Sequence, residues 1–404
     1  ESRSLPGGVV YYNKKFPQLD GLYIYGDYST GKIWGARHDG THVTLHREIA
    51  DTVLAITSFH VDPDGEILIS DYAGGIYRLV PNTETPPSYD FPRYLSQTGL
   101  FNSVEDHQLH PAAIPYSVNA PAWADGAHVQ RFMAVPGNLP VEYAPAKGWE
   151  FPNGTALGQT LSIDMEAGNS SSRKRIETRV LLRQQNEWVG YCYRWNMNQT
   201  DAVLIQALGQ DRELTIKDAA APDGVRKQKW RHLSRAECMT CHTREANYLL
   251  GLTELQMNRN HDYGSVVDNQ LRTLEHIGLF AKPPRGPPQM LNRIVNPYDP
   301  NGDLEERARS YLHANCSHCH STNGGGNSQM LLWFTTPRDN TGILAVRPMH
   351  DTFSIDNAML VAPGDPERSI ICERLGRRGD GQMPPLGSFE VDRRAVELFR
   401  EWIG

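Results

Sequence analysis

The sequence predicts a multidomain chain, β then α. Partial β-propeller blades come first, then a β-sandwich-like domain, then an α-helical region. Three observations predict this. A segment near residue 26 recurs 44 residues later. Apolar and polar residues alternate in period two through much of 122–225. From about Arg231 the apolar period turns helical, and that part carries two C-x-x-C-H pentapeptides, Cys238–His242 and Cys316–His320.

Length and charge bound the rest. At 404 residues the chain has room for roughly two to four domains and a sizeable core. A net charge of −7 gives no reason to expect nucleic acid as a partner. No apolar run approaches the length of a membrane span. The chain begins at Glu1 with no signal peptide, which suggests a mature or truncated form.

Residues 1–82 are expected to be strands of propeller blades. Gly26-Asp27-Tyr28-Ser29-Thr30-Gly31-Lys32-Ile33-Trp34 recurs as Ser70-Asp71-Tyr72-Ala73-Gly74-Gly75-Ile76-Tyr77, and a period of about 40–45 is a blade signature. Asp62-Pro63-Asp64-Gly65 between two apolar runs reads as a hairpin turn. Two blades cannot close a ring, so this segment alone is not expected to be catalytic. Residues 83–121 read as a linker rich in Pro, Ser and Asn. Within it, His107 and His110 have a spacing open to metal ligation, or to plain solvation in a loop.

Residues 122–225 are expected to form a β-sandwich-like domain. The alternation is clear in Val129–Val135, Ile176–Leu182 and Trp188–Trp195, with a turn at Asn153-Gly154. Trp149, Trp188 and Trp195 suit its packed interior, or an electron path. Residues 226–298 form the first region around a C-x-x-C-H, and residues 299–404 the second. Asp303 with Glu306 is a capping-box-like start for a helix running into Cys316. Ala395, Leu398, Phe399, Trp402 and Ile403 share one face of a closing helix with Asp392 as its cap.

C-x-x-C-H is the attachment pattern for c-type haem: two thiols form thioethers and the adjacent imidazole takes the iron. Two covalent haems c are therefore expected, on Cys238, Cys241 and His242 and on Cys316, Cys319 and His320. Zinc or redox thiols are the alternatives. A zinc ribbon brings its pairs within about 15–20 residues, whereas 74 residues separate Cys241 from Cys316. The distal ligand for the second haem is expected to be Met383, 63 residues past His320 in Gln382-Met383-Pro384-Pro385, with core filling as the bland alternative. The first haem has no comparable loop. Met257, His261, His276 and Met290 are its distal candidates, Met257 the foremost, and an open iron is a further possibility. Arg244, Arg259 and Arg272 are candidates to pair haem propionates. Cys192 and Cys372 remain, either as a disulfide or as two buried thiols.

Three resemblances add to this reading. Gly21–Tyr28, Gly31–Trp34 and Gly74–Leu79 resemble the end of the glucose/sorbosone dehydrogenase propeller, which uses pyrroloquinoline quinone. None of that family's catalytic residues is matched, so the quinone is not expected in this chain alone. Met383 followed by two prolines, after a complete C-x-x-C-H helix, resembles a class I cytochrome c module. Residues 90–404 resemble a planctomycete-type bacterial dihaem c-type cytochrome, on Tyr116–Pro121, Trp123–Gly126, Ser234–Cys238, Gln270–Phe280 and Arg309–Cys316. The resemblance implies a periplasmic or secreted electron-transfer protein. Its redox partner proteins would be a quinone-type dehydrogenase as donor and a soluble cytochrome or similar acceptor. A dihaem peroxidase with an open first haem, or a structural haem wire, are the rivals. Oligomeric state is left open.

Overall fold

The structure is a computed structural model describing residues 4–404 except 29–30, 51, 53, 73, 82–90, 138, 185, 207 and 323. The chain divides into two compact units, residues 1–91 and 92–404, with 185–187 grouped in the first. The boundaries expected at 121, 225 and 298 fall inside the second unit.

The first unit holds two antiparallel meanders. One is β1 (Gly8–Val10), β2 (Tyr23–Gly26), β3 (Ile33–His38) and β4 (Val43–Ala50). The other is β5 (Ile56–Val61), β6 (Ile67–Asp71) and β7 (Ile76–Arg78). Their shared core includes Ile24, Ile33, Ile56, Ile67 and Ile69 from the strands, Ile67 and Ile69 in period two along β6. The turn at Asp62–Gly65 joins β5 to β6, with the Asp62 carboxylate accepting from the Asp64 and Glu66 amides. The repeat has a structural meaning. Buried Asp27 accepts from Ser4 N at 2.7 Å, buried Asp71 accepts from Ala55 N at 2.8 Å, and Tyr28 meets Tyr72 edge-on. Ser29, Thr30 and Ala73 of the repeat lie outside the described residues.

The second unit opens with the ribbon β8 (Phe101–Ser103) and β9 (Gln108–Leu109). A six-stranded sheet follows in chain order: β10 (Ala113–Tyr116), β11 (His128–Ala134), β12 (Ala156–Asp164), β13 (Arg173–Gln184), β14 (Glu187–Trp195) and β15 (Ala202–Leu204). The ribbon β16 (Gln210–Lys217) and β17 (Val225–His232) delivers the chain to α1 (Arg235–Cys241). Beyond it lie α2 (Glu254–Met257), the ribbon β18 (Asn260–Asp262) and β19 (Val267–Asn269), α3 (Gln270–His276), α4 (Leu304–Asn315), α5 (Ile370–Gly376) and α6 (Arg393–Ile403).

The expected fold class is corrected on four counts. The blade segment is two small sheets, and among the described residues no closed barrel forms. The β-sandwich is a single sheet. Met133, Leu157, Leu181 and Trp188 of its strands share a core with Leu249, Leu252, Leu271 and Leu274 of the helical segment. Alternation in period two reports that one face is buried, not what buries it. The region expected to be α-helical is mostly irregular: only α4 and α6 exceed two turns, and the protein is mainly β. Nor is a metal centre displayed as that class implied: among the described residues, no three His, Cys, Asp or Glu side chains are grouped to hold a metal ion.

The two long helices start where their caps predict. Asp303 accepts from Glu306 N at 2.9 Å, and Asp392 accepts from Ala395 N at 3.1 Å. Tyr311, Leu312, Leu375, Leu398 and Phe399 then pack α4, α5 and α6 around one core. Among the described residues, no helix is long and apolar enough to cross a membrane.

Candidate functional site

The first pentapeptide is positioned by a capped helix against a sheet. Ser234 Oγ accepts from Glu237 N and Glu237 Oε2 accepts from Ser234 N at 2.7 Å, a complete capping box. Burial raises the Glu237 carboxyl, but the Ser234 amide and Arg231 outweigh it and hold it below its usual range. The helix then runs along β14 so closely that a Cβ at Gly190 would lie 2.6 Å from Cys238 Cβ. That approach requires glycine.

Cys238 is buried there, and its thiol and that of Cys192 act on each other across this contact. Cys192, with the Arg179 guanidinium, holds the Cys238 thiol below its usual range against the opposing effect of burial. The expected alternatives for Cys192 and Cys372 are thereby resolved among the described residues. Both are free buried thiols, Cys192 on the sheet and Cys372 in the α4–α6 core, where burial pushes its thiol up to about 11.

His242 ends α1. Its Nδ1 lies 2.5 Å from the Tyr248 carbonyl, which can only accept, so Nδ1 carries the proton and Nε2 keeps its lone pair. Burial lowers its pKa and keeps the imidazole neutral. A neutral ring with a committed Nδ1–H is the form a ligating histidine needs.

These groups open onto a cavity of about 250 Å³. Leu157, Val180 and Leu181 of the sheet form one wall, and Leu249–Leu252 with Val118 another. Cys238, Cys241 and His242 line it, as do Arg131 and Arg179. Arg179 is paired with Glu177, itself bonded by His232 at 2.5 Å. Arg131 has no carboxylate partner among the described residues, and burial lowers its pKa. Two thiols, one imidazole, apolar walls and an uncompensated guanidinium fit a flat apolar group bearing a carboxylate. The residues present therefore fit a covalently held haem, with Arg131 placed for a propionate.

None of the four expected distal candidates lines this cavity. Met257 is fully buried in the sheet–helix core, against Gln270. His261 bonds Ser117 Oγ at 2.5 Å, while His276 and Met290 are exposed. The propionate candidates are also elsewhere: Arg259 donates to the Val118 carbonyl, Arg272 pairs with Asp268, and Arg244 is not among the lining residues. His107 bonds Thr160 Oγ1 at 2.9 Å under the sheet and His110 is exposed, so the two do not converge on a metal. Trp149, Trp188 and Trp195 are core side chains.

The second pentapeptide follows α4. Burial pushes the Cys316 thiol up to about 12, and Cys319 adds to this. His320 is buried, and its ring is crowded by Gly326, where a Cβ would come within 2.7 Å of Nδ1. The Ser328 backbone faces that ring without reaching full hydrogen-bond geometry, and burial lowers its pKa, with Arg374 adding to the effect. Arg374 also holds the Met383 loop: its carbonyl accepts from Met383 N at 3.0 Å and its guanidinium donates to Gly381 O at 2.9 Å. The far end of the loop is fastened by buried Asp125, which accepts from Ser388 Oγ, Phe389 N and Glu390 N.

The two pentapeptides touch. Cys319 Sγ lies 3.8 Å from the Thr240 carbonyl inside the first motif. His318, the residue between Ser317 and Cys319, lines the first cavity together with His242. Burial drives its pKa to about 4, and the charges of His242, His320 and His313 all bear on it. Sequence reasoning passed over His318, Arg131 and Asp125. Only a histidine in a variable position of the motif was there to be noticed. Comparison with known protein families, curated proteins and solved structures finds no match to this chain.

Proposed function

We propose that the chain is a dihaem c-type electron-transfer protein working outside the cytoplasm. It takes electrons from a quinone-type dehydrogenase, attached or partnered, and passes them to a soluble acceptor. When bound, haem supplies a one-electron ferric/ferrous couple. The chain's own residues do the rest. Cys238, Cys241, Cys316 and Cys319 anchor, His242 and His320 present neutral imidazoles, Arg131 offers a counter-charge, and Met383 sits in a loop tied at both ends. A thioether from Met383 would favour the ferrous state and raise the potential on the second side.

The observation that carries this reading is the contact between motifs, Cys319 Sγ against Thr240 O at 3.8 Å. Two attachment sites that share a van der Waals boundary suit direct transfer between their cofactors. The test is a redox titration of the mature protein with its haemochrome count. Two haems per chain, titrating at separate potentials and equilibrating faster than either meets an external partner, support the proposal. A chain without haem sinks it, and peroxide turnover at a high-spin first haem would favour a dihaem peroxidase instead.

A further inference from the structure

The four distal candidates named for the first haem all lie outside its cavity, yet the cavity does contain a second imidazole. His318 comes from the other motif. It is 8 % exposed, and its Nδ1 has no hydrogen-bond partner. A buried ring nitrogen left unpaired is destabilising unless something takes it up. His318 lines the same cavity as His242, entering from the turn after α4 while His242 enters from the end of α1. Ser317 beside it donates to the His313 carbonyl at 2.7 Å, which holds the turn and hence the imidazole in place. The other polar residues of that lining are the amides Gln159, Gln256 and Asn315, the Tyr116 and Tyr191 phenols, Trp123 and the charged Arg131, Arg179 and Glu237; Gln256 and Asn315 are occupied by backbone bonds, Glu237 by Ser234 N and Arg231, and Tyr191 by Gln184. Burial raises the Tyr116 phenol and keeps it protonated, which leaves the His318 imidazole as the ready nitrogen donor to iron beside His242.

We propose that His318 is the second axial ligand of the first haem, facing His242, so that the second attachment motif completes the first haem site. This rests on the dihaem reading above. Two consequences follow. The first haem is closed and low-spin. It is also the lower-potential haem, because it lacks a thioether on the iron, so electrons run downhill from it toward the Met383 side. One turn, 316–320, then carries both the ligand of one haem and the anchor of the other, a direct mechanical link between them.

The experiment uses the full mature chain with its haems, as wild type, His318→Ala and His318→Met, read by denatured mass, ferric electron paramagnetic resonance and imidazole titration. Wild type should show two low-spin haems and bind no added imidazole. His318→Ala should turn one of the two haems high-spin, bind one equivalent of imidazole per chain, and recover the low-spin signal on doing so. His318→Met should raise the lower of the two potentials toward the higher. If His318→Ala keeps both haems low-spin, the proposal is overturned. Should that variant lose the second haem in maturation, the spin state of the remaining one decides in the same way. A wild-type mass without two haem increments removes the dihaem reading, and this inference with it; two increments with unchanged spin state removes this inference alone.

Discussion

Asp125 fastens the Met383 loop, and its removal has a calculable cost. The carboxylate is 5 % exposed and accepts from three donors: Ser388 Oγ at 2.7 Å, Phe389 N at 2.9 Å and Glu390 N at 3.0 Å. Its backbone sits at φ 52, a region that Asp and Asn tolerate better than Ala. Asp125→Asn keeps that backbone preference and one acceptor oxygen. It loses the charge and turns an NH2 toward the Phe389 amide. The Phe389 amide keeps its second bond, to Oδ1 at 3.0 Å, so weakening three charge-assisted bonds and facing one amide with an NH2 costs about 1–3 kcal/mol. Asp125→Ala strands all three donors and adds backbone strain, for about 4–5 kcal/mol. Denaturant unfolding gives the free energies, and hydrogen exchange at the Phe389 and Glu390 amides shows whether the loss is local. Unchanged stability with unchanged protection at these two amides would refute the assignment of Asp125 as the loop's anchor.

Other perturbations test separate parts of the account. Met383→Ala should lower the potential of the second haem by a large step and remove the optical band of Met–Fe(III), both read in a redox titration followed by absorbance. Gly190→Ala drives a Cβ into Cys238; it should cost about 1–3 kcal/mol and leave part of the first haem held by Cys241 alone, read by peptide mass mapping. His107 is held from its ordinary 6.5 down to about 4, by burial and then by Arg175. The folded state therefore binds fewer protons than the unfolded one between those values, and stability falls as the pH drops from 6.5 toward 4. His107→Gln should flatten that fall, seen by comparing unfolding free energies at neutral and mildly acidic pH.

Much of the local structure was legible in the sequence. The Asp303 and Asp392 caps, the Asp62–Gly65 turn and the strand alternation are short-range signals, and local chemistry decides them. The two C-x-x-C-H pentapeptides stand out in the sequence because five consecutive residues carry the whole pattern. What covers the six-stranded sheet was not legible, because a half-buried strand reads the same under a second sheet or under helices. Cys192 was weighed against Cys372 because both were left over, yet the fold sets it beside Cys238 across the β14–α1 contact. Arg131 and Asp125 look like surface charges in the sequence. The fold instead turns Arg131 into the cavity lining and gives Asp125 partners far along the chain, with Ser388 lying 263 residues away. That His318 lines the first cavity was not legible either, since the variable positions of C-x-x-C-H are ordinarily read as spacers.

The central claim is that two haems are covalently held in adjoining sites. The most direct test is the denatured intact mass of the mature, natively expressed protein, paired with its pyridine haemochrome absorbance. The account predicts the polypeptide mass plus two haem increments and two haems per chain by absorbance. A mass equal to the bare polypeptide, with no haemochrome signal from protein matured where c-type haem is attached, would contradict it.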